Sequence, residues 1–321
     1  MKAIVCNRYG PPESLRYQDV PEPLPRAHEV LVRVHATAVN DYDWSWVRGK
    51  PTIYRLLFGL FKPKHPIPGM ELSGTVVKCG TNTTRFQVGD AVYGDISGHG
   101  FGSFAEAIAI HEAALVHKPA NISFVDAAAT PHAALLAYQA LVVIGKLQLG
   151  QRILINGAGG GVGSFAAQIA KTYGADITGV DSAEKAEALL ALGFDRMIDY
   201  RQADFTRNGQ QYDLILDCKA TRTPTSCSRA LRSGGHYVAI GGDLTRILHL
   251  LLARVFGKRQ LHMLALKSNV GLEHIHALYA TGQLKAVVDG PYPLAQAPQQ
   301  IRRFGEGKHF GKVVLEVVAE R

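Results

Sequence analysis

The feature that most constrains the fold is a glycine-rich turn between an apolar run and a helical stretch. Residues 153–156 lead directly into a turn that follows the pattern AxGxxG through Ala158, Gly160 and Gly163. Backbone without Cβ atoms can approach a pyrophosphate, which the free N–H groups and dipole of the helix start then hold. A turn that serves only chain geometry is the alternative. Strand, turn and helix in this order predict a dinucleotide site formed by Ala158, Gly159, Gly160, Gly161, Val162 and Gly163.

Strands and helices alternate on both sides of this turn. Helical stretches such as 164–173 and 183–192 separate short apolar runs, and Gly174 and Gly193 stand where helix C-caps belong. Six strands alternating with helices predict an α/β fold, the doubly wound parallel sheet of Rossmann type. The six predicted strands cover residues 152–156, 176–180, 197–199, 212–217, 236–240 and 261–266.

The beginning of the chain has the pattern of short strands. Residues 29–40 alternate with a period of two, and turns rich in Gly and Asn separate them from shorter runs at 74–78 and 91–93. This spacing predicts a small β-barrel. After residue 123 the pattern changes to a helical stretch at 126–147, and the tail ends in a helix and a last strand at 312–318.

The residues after the second strand of the α/β part bear on the choice of dinucleotide. Asp181 lies about twenty residues beyond the glycine turn, where a carboxylate accepts hydrogen bonds from both ribose hydroxyls and favours NAD. Ser182, Lys185 and Tyr200 supply a hydroxyl, an ammonium and a phenol that can hold a 2′-phosphate. Capping, solvation and packing explain these three residues equally well. The residues alone therefore leave NAD and NADP open.

Composition narrows the class of protein further. The net charge of +8 is spread along the chain, which favours a basic soluble protein over a nucleic-acid-binding one. Four cysteines without CxxC spacing and a first segment that begins as a strand predict a cytoplasmic protein. The apolar segment 244–256 carries two arginines and a histidine and is too short to span a bilayer. It predicts a pocket cover, a dimer contact or an amphipathic helix on a membrane surface.

Several motifs carry a family resemblance along the whole chain. They are Asn40-Asp41-Tyr42-Asp43-Trp44, Arg48-Gly49, Pro68-Gly69-Met70-Glu71-Leu72-Ser73-Gly74, Phe86-Gln87-Val88-Gly89-Asp90-Ala91-Val92-Tyr93-Gly94, Ala137-Tyr138-Gln139-Ala140-Leu141, the glycine turn, Lys267-Ser268-Asn269, Tyr292-Pro293-Leu294 and Gly311-Lys312-Val313-Val314. With them the sequence resembles the medium-chain dehydrogenase/reductase superfamily. Within it, the likeness is to the zinc-independent quinone oxidoreductase branch, including the reticulon-interacting-protein and chloroplast-envelope group and bacterial relatives labelled NAD(P)-dependent alcohol dehydrogenase. Asp41 and Ser268 stand where that group usually has proline.

The resemblance implies a domain arrangement and partners. A GroES-like β-barrel catalytic domain would comprise residues 1–122 and 267–321, with a Rossmann dinucleotide-binding domain, residues 123–266, inserted between them. Cofactor and substrate would meet in the cleft between the two domains. The resemblance favours NADP slightly over NAD. Together with the apolar edge strand predicted at 261–266, it implies a homodimer.

The resemblance also bears on metal. Zinc-dependent members of the superfamily hold catalytic zinc at three positions, which are occupied here by Asn40, Met70 and His132. One good ligand of three does not hold zinc, and residues 95–103 lack the cysteines of the structural zinc lobe. We therefore expect no metal. Without zinc, reduction of an electron-poor acceptor is easier than alcohol oxidation, so we expect hydride transfer from NAD(P)H to a quinone or an enone.

Candidate residues for this reaction follow from their chemistry and from the resemblance. Asn40 is expected to donate to a carbonyl oxygen or to orient a ribose, and Tyr42, Tyr54 or His132 to supply a proton. Trp44, Trp46 and Met70 are expected to line the substrate pocket, although packing explains the two tryptophans as well. Further predicted cofactor contacts are Gly241, Lys267, Asn269 and Lys312.

Two other functions remain open at this point. One is a dehydrogenase of alcohols or aldehydes, which the missing zinc ligands disfavour. The other is a regulator that binds a dinucleotide without turnover, and cofactor binding with no activity on any acceptor would support it.

Overall fold

The computed structural model describes residues 1–241 and 260–317, with the side chains of residues 53, 54 and 57 excepted. The predicted segment 244–256 lies outside the described residues. The strands are β1 Lys2–Val5, β2 Arg16–Asp19, β3 Glu29–Ala38, β4 Glu71–Cys79, β5 Ala91–Asp95, β6 Ala107–His111, β7 Val116–His117, β8 Arg152–Asn156, β9 Asp176–Asp181, β10 Arg196–Asp199, β11 Tyr212–Asp217, β12 Leu231–Ile240, β13 Gln260–Leu264, β14 Val288–Pro293 and β15 Lys312–Glu316.

Most helices are short. The α-helices are α1 Asp41–Arg48, α2 Ile53–Phe58, α3 Phe124–Ala129, α4 Pro131–Tyr138, α5 Gly161–Lys171, α6 Ala186–Ala191, α7 Pro224–Arg229, α8 Leu272–Ala280 and α9 Ala297–Gly305. A π-helical turn, Gln139–Ile144, continues α4. Single 3₁₀ turns lie at Pro12–Ser14, Glu112–Ala114, Ala183–Lys185 and Leu294–Gln296.

The chain divides into two compact units. The first unit comprises Met1–His132 and Val288–Arg321, and the second comprises Ala133–Val287. The predicted boundaries lay after residues 122 and 266. The observed ones lie later because α3 packs on β3 and β4 within the first unit, whereas the Lys267 segment is hydrogen-bonded to Gln139 within the second.

The first unit is built on a seven-stranded sheet. Strands β14, β15, β3, β4, β5 and β7 follow one another, and β6 also pairs with β3. The alternation predicted for β3 holds in the middle of the strand, where Val32 and Val34 are buried and Arg33 is exposed. Leu31 and Thr37 of the other face, in contrast, are also buried. Val314 of β15 lies opposite Ala38 of β3 in an antiparallel register. The residues that precede Val314 therefore run alongside the residues that follow Ala38.

The second unit is the predicted parallel sheet with helices. Its strand order is β10-β9-β8-β11-β12-β13, and every pair is parallel. The order reverses between β8 and β11, and ligands of such sheets bind beyond the carboxyl ends of the strands at this point. The glycine turn follows β8 there. The α/β fold class predicted from the sequence is therefore confirmed.

The longest predicted helix is divided in the structure. The sequence predicted one helix over 126–147, whereas α3 ends at Ala129 and α4 begins at Pro131. Proline has no N–H group to donate and its ring clashes with the preceding turn, so it begins a helix more readily than it continues one.

Within residues 1–241 and 260–317, no helix has both the length and the apolar character that crossing a membrane requires.

Packing between α1 and α9 gives a first testable prediction. A Cβ atom added to Gly305 would lie 2.4 Å from ring atoms of Trp44. Alanine is normally favoured over glycine in a helix by about 0.5–1 kcal/mol, but the displaced ring costs about 1–3 kcal/mol. We therefore expect Gly305→Ala to lower the free energy of unfolding by about 1 kcal/mol in urea titrations. In a Trp44→Leu background the same substitution should be neutral or stabilising. Stabilisation of the wild-type chain by Gly305→Ala would contradict this packing.

Candidate functional site

The glycine turn has the backbone geometry that a pyrophosphate site requires. Gly157 has a φ of +90°, which favours glycine, and a Cβ atom on Gly163 would lie 2.4 Å from the carbonyl oxygen of Ala158. The N-cap residue of α5 is Gly160, which has no side chain to accept from the first turn. Gly160, Gly161 and Val162 are partly exposed. The start of α5 therefore presents N–H groups that no capping side chain occupies, which is the kind of site that a pyrophosphate takes.

Asp181 is a buried residue that holds the glycine turn in place through hydrogen bonds. It is 8 % exposed, and its two carboxylate oxygens accept the N–H groups of Gly159 at 2.8 Å and Ser182 at 2.9 Å. The Lys185 ammonium lies 3.4 Å from the same carboxylate. The sequence predicted Asp181 as an acceptor for ribose hydroxyls. The structure instead shows a carboxylate whose oxygens and charge already have partners in the protein.

The three residues expected at a 2′-phosphate lie close together. Ser182 and Lys185 follow β9 directly, and the N–H group of Tyr200 donates to the carbonyl oxygen of Asp181 at 3.2 Å. The Tyr200 side chain is exposed and that of Lys185 is half-buried. The backbone segments that carry the three residues therefore meet at the end of β9, where the Ser182 hydroxyl is hydrogen-bonded to Glu184, and their contact with a 2′-phosphate stays a prediction.

The remaining cofactor candidates of the second unit follow strands of the same sheet. Gly241 comes after β12, has a φ of +70° and is exposed. Lys267 and Asn269 come after β13, where Gln139 exchanges two hydrogen bonds with the Lys267 backbone, at 2.9 and 3.1 Å. Because the strands are parallel, these segments share the sheet edge from which the glycine turn leaves.

The structure corrects the prediction for Lys312. Its side chain was expected to reach a cofactor phosphate or ribose, but it is 4 % exposed within the first unit. The register of β3 and β15 places it beside Asn40, and its ammonium contacts both the Asn40 carboxamide oxygen and the Glu71 carboxylate. A cation paired and buried in this way is part of the interior of the first unit.

Asn40 belongs to the same buried group. Its Nδ2 donates to Glu71 Oε1 at 3.0 Å and to the Ala38 carbonyl oxygen at 3.2 Å, and the residue is 3 % exposed. Its Oδ1 accepts from Lys312. Asn40 was predicted to donate to a substrate carbonyl, but both of its N–H bonds are already donated within the first unit. In this arrangement Asn40 holds Glu71 and Lys312 in place.

His132 is paired with a carboxylate that the sequence analysis missed. Its Nδ1 lies 2.8 Å from Asp95 Oδ2, and its backbone N–H donates to Glu71 Oε2 at 3.0 Å. Asp95 is fully buried. Although burial opposes ionisation, the hydrogen bond and charge of His132 hold the pKa of Asp95 below its usual value. The His132 side chain remains 21 % exposed, and Nε2 is the ring nitrogen that the Asp95 contact does not use. No sequence signal joins two residues so far apart in the chain.

Asp43 is a buried acid with an unusual environment. Its carboxylate accepts the N–H groups of Asn40 and Gly69, both at 2.9 Å. Burial outweighs these hydrogen bonds and the charge of Lys312, and raises the pKa of Asp43 to about 7. The carboxyl therefore anchors the start of α1 to the loop before β4.

The aromatic residues predicted for the substrate pocket are mostly in the core. Trp46 and Met70 are almost fully buried, and Trp46 packs in the core below α1. Trp44 stacks on the Arg48 guanidinium, 4.0 Å from the ring centroid. The structure thus favours the packing alternative for both tryptophans. Tyr42 is partly buried and stacks on an aromatic ring of its own unit. Tyr54 lies in α2, and its side chain is outside the described residues.

No cluster of three or more His, Cys, Asp or Glu side chains in the described part of the chain has the arrangement of a metal site. Where the resemblance placed zinc ligands of other members, the first unit has Asn40 and Met70, both buried, and His132 paired with Asp95.

Comparison with known proteins gives matches over both units. The alcohol dehydrogenase GroES-like domain profile matches residues 26–120, and the zinc-binding dehydrogenase profile matches residues 192–315. A chloroplastic quinone-oxidoreductase homologue of Spinacia oleracea is 30 % identical over 329 residues, covering 98 % of each chain. A chloroplastic NADPH-dependent alkenal/one oxidoreductase of Arabidopsis thaliana is 30 % identical, covering 98 % of this chain and 79 % of its own. The solved quinone oxidoreductase of Coxiella burnetii superposes with a TM-score of 0.88 at 26 % identity, covering 99 % of both chains.

The buried ion pair of the first unit yields a stability prediction. Lys312→Met leaves the Glu71 carboxylate buried without its cation, and we expect a loss of about 3–5 kcal/mol in the free energy of unfolding. The double variant Lys312→Met/Glu71→Gln removes both charges and should recover most of that loss. Chemical denaturation of the wild type, of Lys312→Met, of Glu71→Gln and of the double variant measures the coupling. A Lys312→Met protein as stable as wild type would contradict the pairing.

The raised pKa of Asp43 yields a pH prediction. The unfolded chain releases this proton near pH 4 and the folded chain near pH 7, so the folded state binds one more proton in between. The contribution of Asp43 to the free energy of unfolding therefore falls as pH rises from about 4 to 7, by up to about 1.4 kcal/mol per pH unit. Asp43→Asn removes this slope, so we expect its free energy of unfolding to improve relative to wild type across that range. Parallel stability curves for the two proteins would contradict the shift.

Proposed function

The chain belongs to the quinone oxidoreductase branch of the medium-chain dehydrogenase/reductase superfamily, and from that premise we propose that it is an NAD(P)H-dependent oxidoreductase of quinones or α,β-unsaturated carbonyls. Relatives named as quinone oxidoreductases and as an alkenal/one oxidoreductase support this acceptor class. When bound, the reduced nicotinamide supplies the hydride, and the protein supplies orientation and protons.

The observation that carries the proposal is the glycine turn at the strand-order reversal of the second unit. It combines a left-handed Gly157, a Gly163 with no space for a Cβ atom and an uncapped start of α5. These features are those that a dinucleotide pyrophosphate requires. The turn is also held fixed, since the N–H groups of Gly157 and Ala158 both donate to the Val180 carbonyl oxygen.

We propose NADPH as the preferred cofactor. The Asp181 carboxylate accepts two backbone N–H groups and is paired with Lys185, so its charge is balanced and its oxygens are occupied. A ribose hydroxyl would have to compete with these partners. A 2′-phosphate would instead find the Lys185 ammonium and the exposed Tyr200 phenol, and it would compete with Glu184 for the Ser182 hydroxyl.

We propose that the reaction proceeds without zinc and that His132 is the source of the proton. One zinc ligand among three positions supports the first point. The Asp95 carboxylate supports the second, because it fixes Nδ1 of His132 as the hydrogen-bonded nitrogen and leaves Nε2 for exchange. Asn40 would act only through Glu71, which accepts the backbone N–H of His132.

We further propose a homodimer in a reducing compartment such as the cytoplasm. The family resemblance supports the dimer. All four cysteines are free thiols, which supports the compartment.

The test is oxidation of NADPH and NADH, measured separately, by pure chelator-treated protein with a panel of quinones and enones. We expect turnover without added metal and a higher kcat/KM with NADPH. Failure on every acceptor, with dinucleotide binding intact, would contradict the proposed reaction and favour a binding role.

The cofactor preference is tested by Lys185→Met. Removing the ammonium leaves the Asp181 charge facing the 2′-phosphate, so we expect kcat/KM for NADPH to fall by about tenfold or more. Activity with NADH should be retained, which also shows that the variant is folded. An equal loss with both cofactors would contradict a 2′-phosphate role for Lys185.

A further inference from the structure

A second lysine, Lys219, lies against the glycine turn. It contacts a different residue of the turn from the one that Lys185 contacts. A Cβ atom added to Gly157 would lie 3.0 Å from Lys219 Cγ and 3.3 Å from Lys219 Cε. The Lys219 stem therefore passes directly over the first residue of the turn. Lys185, in contrast, lies over Gly159, where an added Cβ atom would meet its Cδ at 2.6 Å. The two lysines approach the turn from the ends of different strands, β11 and β9.

Lys219 is held there by a buried carboxylate. Asp217, the last residue of β11, accepts the N–H groups of Lys219 at 3.2 Å and of Ala220 at 2.8 Å. Asp217 is itself fixed by Asn156 Nδ2 at 2.8 Å and the Tyr237 hydroxyl at 2.6 Å. Asn156 immediately precedes the glycine turn, so Asp217 ties the two segments together.

The backbone beyond Lys219 adopts an unfavourable conformation. Ala220 has a φ of 52°, a left-handed region that residues other than glycine seldom occupy. Conformations of this kind persist where the surrounding contacts impose them, and they are concentrated at ligand-binding sites. Here the imposing contact is the hydrogen bond from the Ala220 N–H group to Asp217.

The charges around the turn distinguish the two lysines. Lys185 is paired with Asp181. Lys219 is exposed, and within residues 1–241 and 260–317 its ammonium has no carboxylate partner. The neighbouring Cys218 is neutral, because burial raises the pKa of its thiol to about 12. An ammonium outside any ion pair of the described residues, beside a helix N-terminus with no capping side chain, adds positive potential at the turn.

We propose that Lys219 is a cofactor-binding residue whose ammonium binds the pyrophosphate of NAD(P)H at the Gly157 end of the turn. This inference rests on the proposed function, since it requires that the turn binds a dinucleotide. Lys185 would then bind the 2′-phosphate, and Lys219 would bind the pyrophosphate that NADPH and NADH share. Glycine at position 157 serves both the left-handed turn and the passage of the Lys219 stem.

The experiment measures dissociation constants of NADPH, NADH and ADP-ribose by calorimetric titration at low and high ionic strength. Lys219→Met keeps the stem and removes the charge, and Lys219→Arg keeps the charge. Lys146→Met is the matched control, because Lys146 is also an exposed lysine of the second unit but precedes β8, at the opposite edge of the sheet. Thermal unfolding of the four unliganded proteins checks that they are equally folded.

We expect Lys219→Met to raise the Kd of all three ligands by roughly tenfold, the loss of one charge-assisted contact. The loss should shrink at high ionic strength, and Lys219→Arg and Lys146→Met should bind as wild type does. Kd values of Lys219→Met within twofold of wild type would overturn the inference, and so would a loss confined to NADPH. Wild-type protein that binds none of the three ligands would overturn the proposed function and this inference with it.

Discussion

The first unit is organised around the ammonium of Lys312, which lies in the interior in contact with Glu71 and Asn40. Removing charges from water is costly, and a buried pair is maintained only where hydrogen bonds satisfy the remaining atoms. Glu71 meets this condition by accepting from Asn40 and from the backbone of His132. Three distant parts of the chain, the end of β3, the start of β4 and the tail strand β15, are thereby fixed at one point. The position of His132 and its Asp95 partner depends on that point.

Buried carboxylates also fix the backbone of the second unit, at the glycine turn. Asp181 and Asp217 are buried carboxylates at the ends of β9 and β11, and each accepts backbone N–H groups of a segment beside the turn. The carboxylates hold the backbone, and the lysines and helix N–H groups present positive charge. Such a division suits an anionic ligand, because a carboxylate at the surface of the site would repel it.

Features set by local sequence could be predicted. The glycine turn, the six parallel strands and the alternation of β3 follow from backbone geometry and from a period of two, which neighbouring residues determine. The roles of Asn40, Asp181 and Lys312 could not be predicted in this way. Each depends on partners far along the chain, and a polar side chain near a strand end looks the same in sequence whether it faces a ligand or a buried charge. The pairing of Asp95 with His132 could not be predicted for the same reason. Only the register of β4 and β5 and the start of α4 bring the two residues together.

Lys312 and Lys219 show how such cases can be told apart. Both are lysines near strand ends, but the sequence predicted a phosphate or ribose contact for Lys312 and did not single out Lys219. Lys312 has an acidic partner, Glu71, that is itself buried. The attraction between these two charges already offsets the cost of removing the ammonium from water, so a ligand would add little. Lys219 has a fixed backbone, is exposed, and has no carboxylate partner for its ammonium in the described part of the chain. A ligand gains more from an unpaired cation than from a paired one, because no existing contact must be given up. The presence or absence of a buried counter-charge therefore decides which lysine serves the fold and which serves the ligand.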